Sequence, residues 1–107
     1  MMKKVLIICA AGMSSSLIAK KGTTYLKENG YDVEIDATHA TEGVSTIQKD
    51  EFDMYLVSPQ TKMYYKALKD AADKTGKSIE NIPPQAYVPI PMGIEKLGNL
   101  VKDTLGL

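Results

Sequence analysis

The chain contains no arginine; all thirteen of its basic residues are lysines. A planar guanidinium is the side chain best suited to a two-pronged grip on phosphate, and nothing here supplies one. Net charge is absent too. Thirteen acidic residues cancel the lysines, so the charge balance gives no reason to expect nucleic acid or an anionic membrane as a partner. Long apolar runs are missing. The longest, residues 5–11, falls far short of the roughly 18 residues that a membrane span needs, so no direct membrane insertion is expected. Two lysines before that run loosely mimic a signal peptide, but residues 12–16 read better as a functional loop than as a cleavage site. Cysteine and histidine occur once each, as Cys9 and His39. One cysteine cannot close an internal disulfide and is too few for a cysteine-based zinc site. This suits a reducing cytoplasmic setting and gives no ground to expect a metal or another cofactor.

What is present is ordinary for a globular protein. The 107 residues, 44% of them hydrophobic, suit one domain over residues 1–107 with a core of its own. The run from Lys3 to Cys9 (KKVLIIC) predicts a first strand. Small residues follow, and Ser14 or Ser15 is placed to cap a helix running to about Asn29, with Leu17, Ile18, Tyr25 and Leu26 near one face and Gly30 ending it. Asp32 to Ala37 (DVEIDA) alternates acidic and apolar residues, the pattern of a strand with one solvated face. Its acids, Asp32, Glu34 and Asp36, read as a solvated edge rather than a metal site. A short helix from Thr41 to Asp50 follows, then a third strand over Asp53–Val57.

Ser58-Pro59 opens a third helix to about Thr75, with Met63, Ala67, Leu68 and Ala71 inward, Lys66 placed to pair with Asp70, and Gly76 as its end. Gln85 to Ile90 (QAYVPI) is predicted as the fourth strand, and Pro91 opens a last helix carrying Ile94, Leu97, Leu100, Val101 and Leu105 inward. This βα alternation predicts an α/β fold, a three-layer α/β/α sandwich around a four-stranded parallel sheet. Strands one and three are almost wholly apolar and belong at the centre. Strand two is acidic and the predicted strand four contains proline, so both belong at edges, giving the order 2-1-3-4. The switch point of such a sheet lies between strands one and three, where ligands bind, and Cys9 ends strand one.

The segment Cys9-Ala10-Ala11-Gly12-Met13-Ser14-Ser15-Ser16 therefore joins a strand to a helix at that point. Small residues let the backbone curl and aim its N–H groups inward, and the helix start adds unpaired N–H groups and a positive dipole end. The result is an anion cradle with a thiol at its rim. The same field favours a nucleophilic thiolate, and a thiolate beside a phosphate cradle suggests an S-phosphoryl intermediate. The bland reading is a small buried hydrophobe next to a serine-capped helix. The loop is neither a Walker A motif nor a dinucleotide fingerprint. His39, after strand two, reads as a surface-loop residue.

The CAAGMSSS segment after KKVLII resembles the phosphocysteine loop of the enzyme IIB subunits of the lactose/cellobiose group in the bacterial phosphoenolpyruvate-dependent sugar phosphotransferase system, and is most similar to the cellobiose and diacetylchitobiose type. Val57-Ser58-Pro59-Gln60 followed by Met63 resembles the end of that family's third strand, where glycine commonly stands in place of Ser58. The likeness implies a cytoplasmic phosphotransferase component that needs no cofactor. A phosphohistidine on an enzyme IIA partner would give its phosphoryl group to Cys9. Cys9 would pass it to a sugar, a β-linked disaccharide such as cellobiose, held by the membrane enzyme IIC. The implied phosphate-binding residues are Ala10, Ala11, Gly12, Met13, Ser14, Ser15 and Ser16, with Pro59 and Gln60 as neighbours of the loop. The implied fold is similar to that of low-molecular-weight tyrosine phosphatases, whose signature places an arginine six residues after the cysteine. Here that position is Ser15, which argues against a cysteine phosphatase. A regulatory anion-binding module without chemistry stays open as the alternative, and in that case serine could replace Cys9 without loss.

Overall fold

The computed structural model describes residues 2–9 and 12–107, apart from the side chains of residues 12–14. Four strands, β1 (Lys3–Cys9), β2 (Val33–His39), β3 (Met54–Val57) and β4 (Ser78–Asn81), form one parallel sheet in the order 2-1-3-4. The helices are α1 (Gly12–Glu28), α2 (Ala40–Gln48), α3 (Tyr65–Thr75) and α4 (Pro91–Leu105).

The three layers follow from the pleat of β1. Successive side chains alternate between the two faces of a strand. Val5 and Ile7 pack with Ile18 and Leu26 of α1 and Ile94 and Leu97 of α4. Leu6 and Ile8 pack with Ile47 of α2 and Leu68 and Ala72 of α3. A strand that is apolar and buried at every position from Val5 to Cys9 is thus what a sheet covered on both faces demands. Burial of each such side chain is worth about 1.5–3 kcal/mol, so this central strand anchors both halves of the core.

The edges are managed locally. Thr23 Oγ1 accepts the N–H of Ile35 at 2.8 Å and donates to the carbonyl of Ala19 at 2.8 Å, tying edge strand β2 to α1. At the end of α3, Gly76 adopts φ 72°, a left-handed conformation that closes the helix without a side-chain penalty.

Several expectations need correction. The fourth strand is Ser78–Asn81, not Gln85–Ile90. Residues 84–86 form a single 3-10 turn, and Ala86 and Tyr87 reach the α1/α4 side of the core from outside the sheet. Pro89 removes an N–H donor that a strand there would need, and Pro83 and Pro84 lie just before it. The predicted third helix is two pieces, a 3-10 segment over Pro59–Tyr64 and then α3. Met63 on the 3-10 segment is 80% exposed and Ala67 is exposed, so neither points inward. Leu17 is also half-exposed. The i,i+4 ion pair of α3 is Lys69–Asp73 at 3.3 Å, not Lys66–Asp70. The first helix begins at Gly12, so Ser14 and Ser15 lie inside it and are not its caps.

Candidate functional site

The site lies where the strands end. Cys9 is the last residue of β1 and is buried. Its sulfur sits 2.7 Å from the Oγ of Ser15, itself fully buried in the first turns of α1. Either atom can donate in that contact; once the sulfur is a thiolate, the hydroxyl must be the donor. Helix α1 starts three residues after Cys9, so its amino end, with unpaired N–H groups and positive dipole, follows the thiol directly.

A second wall comes from β3. The Ser58 N–H donates to the carbonyl of Ile8 at 3.0 Å, extending the β1–β3 ladder one step and setting Ser58 beside Cys9. The Ser58 and Thr61 hydroxyls meet at 2.6 Å, and both residues are fully buried. The Thr61 N–H also donates to the Ser58 carbonyl at 3.0 Å, so this turn is held by backbone and side chains together. Pro59 is half-buried and Gln60 exposed at the start of the 3-10 segment.

Of the residues expected to hold phosphate, Ser15 is brought against the sulfur and Ser16 is exposed. Gly12, Met13 and Ser14 belong to the first turn of α1. The side chains of Met13 and Ser14, and all of Ala10 and Ala11, lie outside the described residues. Thr61 was missed because a threonine inside a helical pattern gives no signal until the turn is seen. His39 was set aside as a loop residue, yet it ends β2 as the register partner of Cys9.

A groove of about 530 Å³ runs between α1 and the segment entering α4, and Cys9 does not line it. Large apolar side chains stand exposed on the segments that follow the strand ends: Leu17, Met63, Tyr64, Ile90 and Met92. Among the described residues no cluster of three or more metal-ligating side chains occurs, and no helix is long and apolar enough to cross a membrane.

Solved structures share this fold. A lactose-specific IIB component domain of the phosphotransferase system from Streptococcus pneumoniae superposes with a TM-score of 0.82 at 19% identity, covering 97% of this chain and 98% of the other. A cellobiose-specific phosphotransferase IIB component from Borrelia burgdorferi gives 0.74 at 27% identity, over 99% and 94%. In sequence, the oligo-beta-mannoside-specific EIIB component of Bacillus subtilis is 33% identical over 86 residues, 80% of this chain and 82% of that protein. Residues 4–98 match the family of lactose/cellobiose-specific IIB subunits of the phosphotransferase system. The chain belongs to that family. IIB components are phosphotransferases of sugar phosphorylation and work with IIA and IIC partners.

Proposed function

We propose that Cys9 is the phosphoryl carrier of this subunit, cradled by residues Ala10, Ala11, Gly12, Met13, Ser14, Ser15 and Ser16. The Cys9 thiolate attacks the phosphorus of a phosphohistidine on enzyme IIA; the P–N bond breaks, an S–P bond forms and the imidazole leaves with a proton. A hydroxyl of a sugar held by the membrane enzyme IIC then attacks the same phosphorus. The S–P bond breaks, the thiolate is regenerated and the hydroxyl proton passes to a base or to water. The sugar proposed is a β-linked disaccharide such as cellobiose, a reading supported by the oligo-beta-mannoside specificity in the name of the Bacillus relative. The setting proposed is the cytoplasm.

The observation that carries this reading is the Cys9 Sγ–Ser15 Oγ contact of 2.7 Å at the strand end. A hydroxyl stabilises the thiolate both as nucleophile and as leaving group, which suits a relay that must run through both steps. A guanidinium at that place would hold phosphate more tightly, and the chain has no arginine to offer. The exposed Leu17, Met63, Tyr64, Ile90 and Met92 add an apolar surface for transient docking of protein partners. In a reconstituted assay with donor system and IIC, Cys9→Ser and Cys9→Ala should both abolish sugar phosphorylation while the purified variants stay folded. Full activity in Cys9→Ser would overturn Cys9 as the carrier.

A further inference from the structure

A phosphoryl group on Cys9 would bring about two negative charges to a site with no arginine to answer them. The unpaired N–H groups at the start of α1 would supply partial charges only. Of the strand-terminal residues Cys9, His39, Val57 and Asn81, His39 alone can carry a positive charge. The β1–β2 register pairs it directly with Cys9.

The pleat puts the two on the same side. Along β1, Val5 and Ile7 face the core under α1 and α4, and their register partners Ile35 and Ala37 belong to the same core. Cys9 and His39 are the next pair in that row, on strands about 4.8 Å apart. His39 is exposed, its backbone is extended at φ −81° and ψ 151°, and its side chain makes no capping bond to α2. The imidazole is therefore not committed to holding the helix.

We propose that His39 is a positioning residue that places a cationic imidazole beside the phosphoryl group carried on Cys9. This rests on the reading of Cys9 as carrier. The charged groups of the elements around the end of β2 are Glu42 of α2, Lys20 of α1 and Asp36 of β2 itself. Glu42 accepts a hydrogen bond from Thr38 at 3.3 Å, and Lys20 shares the groove between α1 and β2 with Asp36 and Glu34. The lysines of β1, Lys3 and Lys4, stand at its opposite end. None of these pairs with Cys9 in the strand register.

The test is a histidine titration by NMR on the untagged chain, where His39 gives the only imidazole signals. It is run before and after phosphorylation by a IIA donor system, with the phosphorus spectrum taken on the same sample. The imidazole midpoint should rise by about half a pH unit or more on phosphorylation, as a nearby anion favours the protonated ring. By reciprocity, the second ionisation of the phosphoryl group, read from its phosphorus shift, should move up by a similar amount in His39→Ala and return in His39→Lys. A phosphocysteine signal with an unmoved imidazole and an unmoved phosphorus titration overturns the role of His39 and leaves Cys9 as carrier. No phosphocysteine signal from a demonstrably active donor overturns both.

Discussion

The buried pair Ser58–Thr61 offers a clean test of how the wall beside Cys9 is held. Both side chains are fully buried and their hydroxyls lie 2.6 Å apart. Replacing Thr61 with valine keeps the volume but strands the Ser58 hydroxyl without its partner. Leaving a buried hydroxyl unsatisfied costs about 1–3 kcal/mol. In a domain of this size each 1 kcal/mol lowers the melting temperature by roughly 4–8 °C, so Thr61→Val alone should be plainly visible. Ser58→Ala strands the Thr61 hydroxyl in the same way. The double variant strands neither, and the backbone bond from the Thr61 N–H to the Ser58 carbonyl survives in all three. The double variant should therefore lose much less than the sum of the single losses, with a coupling of about 1 kcal/mol or more in a double-mutant cycle. Urea unfolding of the four proteins measures this directly. Strictly additive losses, or a neutral Thr61→Val, would refute the pairing as the reason these two polar groups tolerate full burial.

Three further outcomes are expected. A Cβ on Gly93 would lie 2.5 Å from the Val88 carbonyl oxygen and 2.3 Å from the Val88 Cγ2; because backbone must shift, Gly93→Ala should cost about 1–3 kcal/mol in chemical denaturation, and a neutral result would contradict the close approach of α4 to the preceding segment. Tyr55 is fully buried, and its hydroxyl lies near the Phe52 backbone without a hydrogen bond of good geometry. Burial first, then the charges of Asp50 and Asp53, raise its pKa above the usual tyrosine value. The unfolded chain thus loses this proton near pH 10 before the folded one does. Stability should fall as pH climbs from about 10 toward the raised folded value, and Tyr55→Phe should remove that slope and gain about 1 kcal/mol at neutral pH, as read by urea unfolding across pH. Met63 is 80% exposed, so Met63→Lys should leave the melting temperature within about 2 °C but raise the KM for the phosphorylated donor several-fold; an unchanged KM would remove Met63 from the docking surface.

The legible parts of the sequence were those where one burial pattern dominates. KKVLIIC reads as a central strand because both its faces are covered, and DVEIDA as an edge because its acids meet water. The fourth strand failed for the opposite reason. Ser78-Ile79-Glu80-Asn81 buries only Ile79, so it carries no alternation to detect, while QAYVPI is apolar because Ala86 and Tyr87 pack onto the core from outside the sheet. Met63 was misplaced because a 3-10 segment turns faster than the α-helix that the spacing assumed. The place of Cys9 as the last residue of β1 was legible from the end of an apolar run. Its contact with Ser15 was not, because helical spacing says nothing of a partner across a loop. Nor was the pairing of His39 with Cys9, which depends on a register between strands that only the assembled sheet fixes.

The central claim is that Cys9 bears the phosphoryl group. Phosphorus NMR of the protein after incubation with a phosphorylated IIA and its upstream enzymes, beside the Cys9→Ser variant, tests it most directly. The account predicts a thiophosphate-type resonance in the native chain and none in the variant. A blank spectrum with a donor system shown to be active, or the same resonance surviving in Cys9→Ser, would contradict it.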